Sequence, residues 1–487
     1  MTPDIGDSGS GRRAKPAAHE LARYEALFAA RTRGMKSSAM REMMALTERP
    51  EVISLAGGLP DTSTFEPELY AKLMSQVAAE STARALQYGP TEGMAVAARC
   101  IVEVMEEERT LVDPADLIVT TGGQQVIDLV CKTLVDPGDV VIAEAPTYPG
   151  AVPTFSAYQA DVVQIEMDGE GMPIDELEAT LDRLTSEGRR PKFIYTIPNF
   201  HNPAGVTMSL ARRRRLVEVA RERELLVLED NPYGLLRYEG EPLPTLYSLD
   251  ARNGRDGASD LVIYLGTFSK ILSPGLRLGW AVAPRPVLEK LNLGKQGADL
   301  CSSPVTQLFV AAYFAERDWR EYLDQLKLLY KRRRDVMLGA LEEHFGSQAR
   351  WTVPQGGLFV WATLPDFIDT TDLLARALDS EGVAFVPGRA AYMDGRGASS
   401  MRLNFAGVPD EDIREAIRRI GRVVREQVGL FGTLTGSPPG QAPADAAGQT
   451  DERQSQEGAP DGGVAMADVL PLPRRGGEDR TRRRGGR

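Results

Sequence analysis

Cysteine and histidine are scarce in this chain of 487 residues, with three of each. Cys100, Cys131 and Cys301 show neither metal-like nor redox-like spacing. An odd, sparse set predicts a reducing, cytoplasmic setting in which each thiol packs as a small core hydrophobe. With only His19, His201 and His344 to draw on, a His-rich metal site is excluded. A Ser-His-Asp triad would have to rely on one of those three. No uncharged apolar stretch reaches the length of about 18 residues that a membrane helix needs, so no membrane partner is expected. Met1 to Pro16 lacks the apolar core of a secretory signal. A basic excess is missing too: the net charge of −12 argues against a nucleic-acid partner, because phosphate backbones are bound through surplus Lys and Arg.

What is present is an ordinary globular composition, on a chain long enough for two domains with ends to spare. Residues 1–35 are polar and weakly patterned and are expected to be a partly disordered extension. Residues 433–487 shift to Gly, Pro, Ala, Gln and Asp and end in the arginine-rich run Arg474 to Arg487. They read as a solvated, disordered tail, with a basic segment touching an anionic partner as the alternative. Between them, strands alternate with helices as in a doubly wound α/β domain. Strands are predicted at Leu117–Thr121, Val140–Ala145, Asp161–Met167, Phe193–Pro198, Leu225–Glu229, Leu261–Leu265 and Leu278–Ala283. Helices are predicted at Gln124–Val135, Ile174–Thr185, Ser209–Glu224 and Pro286–Lys295. One long helical stretch is expected from Ser303 to His344, with the charge run Lys331 to Arg334 as its solvated face. After Trp351, short strands (Gly357–Trp361, Met401–Ala406) mix with helices (Asp369–Ser380, Asp410–Glu426), which predicts a smaller α+β unit. The expected division is 36–65 joining the small domain, 66–335 as the large domain and 336–432 as the small C-terminal domain.

The most informative segment is Gly266-Thr-Phe-Ser-Lys270-Ile-Leu-Ser-Pro-Gly-Leu-Arg277. A strand ends in a turn that presents one lysine among small hydroxyls, and a guanidinium follows seven positions later. A lysine amine can form a Schiff base with an aldehyde, and an arginine can grip a phosphate through two N–H groups. Ligands of open α/β sheets bind beyond the carboxyl ends of the strands, and other reactive residues fall at those ends. Thr121-Gly122-Gly123-Gln124-Gln125 opens a helix and would suit a phosphate, or is simply a tight turn. Asn202 stands in Asn-Pro-Ala-Gly, a loop that also reads as a plain turn. Asp230 ends a strand, with Tyr233 three residues on. The carboxylate is either a cap or a partner for a protonated ring nitrogen.

Together these motifs resemble the fold type I aminotransferases (class I/II) that depend on pyridoxal 5'-phosphate (PLP), from roughly Ser37 to Leu430. The resemblance implies a seven-stranded, mainly parallel sheet between helices, a small α+β domain and a homodimer with shared active sites. It also implies roles. Lys270 matches the Schiff-base lysine, Asp230 the partner of the pyridine nitrogen, and Tyr233 with Asn202 the contacts to the ring oxygen. Thr267, Ser269, Arg277 and the backbone of Gly123, Gln124 and Gln125 match the phosphate cup. Tyr148 matches the aromatic stacked on the ring, and Tyr88 the tyrosine lent to the neighbouring subunit's phosphate. Arg402 matches the clamp on the substrate α-carboxylate. The lesser alternatives are half-buried aromatics for Tyr88 and Tyr148 and a lone surface arginine for Arg402.

Ser37 to Met43 and Ser54-Leu-Ala-Gly57-Gly58-Leu-Pro60 look like the 2-aminoadipate/kynurenine subgroup. There Gly58 would line the substrate pocket. Arg41 would meet a distal carboxylate, or would pair with a glutamate on a solvent-facing helix. The implied reaction moves the amino group of an α-amino acid to a 2-oxo acid, with 2-oxoglutarate as the expected acceptor and broad specificity among acidic, aromatic and branched amino acids. Two rivals share the fold: a PLP-dependent lyase, and a PLP-sensing regulator. The ~35 residues ahead of the matching region are too few for the regulator's DNA-binding module.

Overall fold

A computed structural model describes residues 24–25, 27–35, 49, 51–251 and 258–435. Arg41 and the tail from 436 onward lie outside the described residues. The first strand is β1 (Ile53–Ser54). The main sheet then collects β2 (Leu117–Thr120), β3 (Val140–Ala145), β4 (Asp161–Glu166), β5 (Pro191–Thr196), β6 (Leu226–Asp230), β7 (Val262–Thr267) and β8 (Gly279–Val282). These seven strands lie in the order β2-β8-β7-β6-β5-β3-β4. Six run parallel, and β8 runs antiparallel to both of its neighbours.

Aliphatic runs such as Val140-Val-Ile-Ala form central strands because both faces are covered. Val140, Ile142, Ile194 and Val227 enter one core, while Val141, Ala143, Phe193 and Leu228 enter the other. Helix Gly123–Leu134 packs on the second core, and helices Ile174–Ser186 and Leu210–Glu222 on the first. Of the seven strands, only the edge strand β4 carries fully exposed residues.

The remaining strands are β9 (Arg350–Trp351), β10 (Phe359–Thr363), β11 (Val383–Ala384), β12 (Val386–Pro387) and β13 (Ser400–Asn404). Four of them form an antiparallel sheet in the order β12-β13-β10-β9, and β11 pairs with β1 in parallel. Arg402 on β13 is directly opposite Trp361 of β10. The 26-residue helix Asp410–Thr435 covers this region against helix Trp319–Phe345. Among the described residues no helix is long and apolar enough to cross a membrane, and no group of His, Cys, Asp and Glu could hold a metal ion.

Three sequence expectations need correction. The stretch Ser303 to His344 is two helices, Pro304–Glu316 and Trp319–Phe345. Asp318 ends the run because its carboxylate caps the second helix, accepting from the N–H of Arg320 at 3.0 Å. The Lys331 to Arg334 run is not a solvated face throughout. Arg333 and Arg334 are buried, Arg333 pairing with Asp61 at 2.7 Å and Arg334 with Glu239 at 2.8 Å. Arginine tolerates this because its planar fork satisfies several acceptors at once. Finally, Cys100 and Cys131 are core residues, but Cys301 is only half-buried, in a turn after helix Arg285–Gln296.

Candidate active site

One cleft of about 230 Å³ opens beyond the carboxyl ends of the parallel strands. It brings together Gly58, Gly123, Gln124, Tyr148, Asn202, Asp230, Tyr233, Thr267, Ser269, Lys270, Arg277 and Arg402. Gln125 and Tyr88 do not line it. Tyr88 is 78% exposed on the outer surface, with its backbone N–H on its neighbour Gln87.

Lys270 follows β7 by three residues, and its Nζ donates to the Gly58 carbonyl at 2.6 Å. Burial, reinforced by the positive charges of Arg402 and Arg277, pushes its amine down to about 8. An amine of that proton affinity is neutral often enough at physiological pH to act as a nucleophile or a base. Asp230 is the last residue of β6 and is buried. Burial pushes its carboxyl up to about 7, Glu144 adds repulsion, and a 2.6 Å hydrogen bond from the Tyr195 phenol opposes both. A desolvated carboxylate held this way suits a cationic N–H group. Asn202 donates to the Tyr233 phenol at 3.2 Å, so the two polar groups arrive as a unit.

The phosphate-sized end of the cleft is built from a helix start. Gly122 has φ of 78°, a left-handed value that glycine adopts without strain. A Cβ there would meet the Arg277 guanidinium at 2.4 Å, so the missing side chain makes room for that cation. Arg277 itself adopts φ 50°, and its Nη1 donates to the Pro274 carbonyl at 3.2 Å. Strain of this kind in a non-glycine residue costs ~1–3 kcal/mol and concentrates at ligand clamps. Thr267 and Ser269 add hydroxyls, which lie 2.8 Å apart. With the N-terminus of helix Gly123–Leu134, this cradle fits a phosphate dianion. The cleft as a whole therefore fits PLP: an amine for its aldehyde, a carboxylate for its ring nitrogen and a cradle for its phosphate.

Arg402 is fully buried on β13 and reaches across to the main sheet's loops. Its Nη1 donates to Asn202 Oδ1 at 3.0 Å, its Nη2 to the Ala56 carbonyl at 2.6 Å, and it lies 4.5 Å above the Phe359 ring. Burial lowers its proton affinity to about 10, still cationic at neutral pH.

Several supporting contacts escaped the sequence reading. The Gln125 side chain turns away from the cleft. Its Oε1 accepts from buried Lys295 at 2.9 Å and from the Thr121 N–H at 2.7 Å, bracing the glycine turn. Arg213 is wholly buried and staples the Asn202 loop by donating to the carbonyls of Pro198 at 2.8 Å and Met208 at 2.9 Å. Glu144 interrupts the apolar β3 and accepts from the Ile197 N–H at 2.9 Å, with His201 Nε2 at 3.2 Å. Tyr195 sits in β5 between Ile194 and Thr196. The readable signal was a polar residue inside an otherwise apolar strand, since such a group must find a buried partner.

A lysine, an aspartate and a phosphate cradle set at the strand ends of this sheet define the fold type I PLP enzymes. Within that class the chain belongs to the aminotransferases of class I and II, whose family model matches residues 50–420, and it is a PLP-dependent transaminase. It is 43% identical over 406 residues to an aromatic-amino-acid aminotransferase of Thermococcus litoralis, covering 83% of this chain and 95% of that one. A 2-aminoadipate transaminase of Thermus thermophilus is 39% identical, covering 81% and 96%. Among solved structures, a kynurenine aminotransferase from Pyrococcus horikoshii superimposes with a TM-score of 0.78 at 39% identity, covering 84% of this chain and 99% of that one.

Proposed function

We propose that the enzyme transfers the amino group of acidic, aromatic and branched α-amino acids to a 2-oxo acid, with 2-oxoglutarate as acceptor. The observation that carries this reading is the convergence of Lys270, Asp230, Arg402 and the Gly122–Arg277 cradle on one cleft. Relatives named for aromatic amino acids, 2-aminoadipate and kynurenine support the range of substrates.

Bound PLP supplies an aldehyde and an electron-accepting ring. The residues do the rest. The Lys270 amine is first the covalent anchor, and once displaced by substrate it would act as the base that takes the Cα proton and the acid that delivers it to the cofactor's C4′ carbon. Arg402 grips the α-carboxylate through two N–H groups and so fixes which Cα bond faces Lys270. Asp230 keeps a negative charge at the ring nitrogen, where positive charge must be stabilised. Tyr233 and Asn202 hydrogen-bond the ring oxygen, and Tyr148 stacks on the ring. Thr267, Ser269, Arg277 and the N–H groups of Gly123, Gln124 and Gln125 hold the phosphate. Gly58 and Arg41 belong to the substrate side, Arg41 meeting a distal carboxylate. Tyr88, exposed in one subunit, completes the phosphate site of the other, which makes the active form a homodimer. We also divide the chain at residues 36, 66, 336 and 433 into N-terminal extension, joining segment, large domain, small domain and tail.

The test is a half-reaction with purified enzyme and a panel of amino acids. Formation of the 2-oxo acid with stoichiometric pyridoxamine phosphate supports transfer. Pyruvate with ammonia or thiol, and no pyridoxamine phosphate, would assign the enzyme to the lyases instead.

A further inference from the structure

Strand β5 carries a tyrosine where its packing behind the sheet calls for a purely apolar side chain. Tyr195 is 1% exposed, and its ring makes an edge-on contact with Phe155 at 5.5 Å in the core behind the sheet. The phenol points out of that core: its Oη donates to Asp230 Oδ2 at 2.6 Å. Among the described residues it is the one side-chain donor on that carboxylate. Because β5 and β6 are parallel neighbours, with Tyr195 beside Leu228 and Thr196 beside Glu229, the sheet itself sets the reach of this bond. Asp230 also lines the cleft, so one carboxylate oxygen is committed to Tyr195 while the group faces the ligand.

We propose that Tyr195 is a positioning residue of the transaminase, locking the Asp230 carboxylate in the orientation and charge state that the cofactor's ring nitrogen requires. This rests on the assignment of Asp230 to that nitrogen. Three effects converge. The hydrogen bond removes one degree of side-chain freedom before ligand binds. It is charge-assisted, so it favours the ionised carboxylate. And it offsets the repulsion from Glu144 on β3, a neighbouring buried carboxylate held by Thr196 Oγ1 at 2.7 Å. The other ionisable groups around Asp230 are Tyr148, Tyr233, Lys270, Arg277 and Arg402, all in the cleft lining.

The test uses the holoenzyme and its variants Tyr195→Phe, Asp230→Ala and the double variant. Phenylalanine keeps the contact with Phe155 and removes only the hydroxyl. The expected results for Tyr195→Phe are a PLP Kd raised about tenfold, from the loss of one hydrogen bond to a charged group, and a higher pH midpoint for the absorbance of the lysine-bound cofactor. The midpoint rises because Asp230 without the phenol keeps its own proton, the ring nitrogen loses its positive charge, and the lysine-bound nitrogen becomes more basic. If Tyr195 acts through Asp230, adding Tyr195→Phe to Asp230→Ala changes neither quantity further. Replacing Tyr195 with 3-fluorotyrosine, a stronger donor of the same shape, lowers the midpoint and keeps the proposal testable should Tyr195→Phe fold poorly. An unmoved Kd and midpoint in Tyr195→Phe, with both moved in Asp230→Ala, would overturn the role of Tyr195 alone. If Asp230→Ala moves neither, the assignment of Asp230 itself fails.

Discussion

Replacing Asp230 by asparagine should stabilise the cofactor-free protein while disabling the enzyme. The carboxyl is buried and its proton affinity is raised from 3.8 to about 7. A roughly three-unit rise corresponds to ~4 kcal/mol between the two protonation states. The sign follows from which state holds the proton. Below pH 4, Asp230 is protonated in both folded and unfolded chains, and the site carries no penalty. As pH rises to about 7, the unfolded chain ionises freely while the folded chain resists, so stability is lost across that window. Asparagine keeps the shape, accepts the Tyr195 hydrogen bond through its amide oxygen and has no charge to bury. Thermal melts of the PLP-stripped protein should therefore show Asp230→Asn level with the wild type near pH 4 and higher near pH 8. A gain of ~2–4 °C per kcal/mol suits a domain of this size. With PLP present the order should reverse, because on the proposed role of Asp230 the ring nitrogen loses its counter-charge, and turnover should fall by at least about 10²-fold. Equal melting temperatures at pH 8, or a gain that does not grow with pH, would falsify the account of Asp230 as a strained, function-serving carboxylate.

Three further outcomes follow from the same geometry. Reductive methylation of the PLP-stripped protein at pH 8 should modify Lys270, whose amine burial pushes down to about 8, early in the order, and added PLP should protect it; peptide mass mapping reads the order. Gly122→Ala forces a side chain into both a left-handed backbone and the Arg277 guanidinium, so the PLP Kd should rise at least about tenfold; unchanged affinity would remove that turn from the cradle. On the proposed role of Arg402 as the grip on the α-carboxylate, Arg402→Gln should raise KM for the amino acid by about two orders of magnitude with PLP affinity little changed.

How far the sequence could be read depended on whether a signal was local. All seven strands of the main sheet were legible, because runs such as Val140 to Ala145 are buried on both faces and must be apolar throughout. The helix Pro67–Glu80 was missed: only Leu73 and Val77 of its fourteen residues are fully buried, so its periodic signal is faint. The break at Arg317-Asp318 was also missed, because nothing in the residue types there outweighs two strongly helical flanks until the Asp318 cap is seen.

By itself, then, the sequence determined the alternation of strands and helices, the family and its PLP chemistry, and Lys270 as the residue most exposed to inference. Those are properties of short motifs, where a turn, a hydroxyl and a lysine lie within a few positions of each other. Only the tertiary structure decided what stands behind the motifs. Tyr195 reaches Asp230 across 35 positions, Lys295 reaches Gln125 across 170, and Arg402 reaches Asn202 across 200. No local pattern encodes such pairs, because the first needs β5 paired with β6, the second needs two helices side by side, and the third needs β13 brought against the Asn202 loop. The same packing explains Arg333 and Arg334, which read as solvated charges and became buried struts when Asp61 and Glu239 folded onto them.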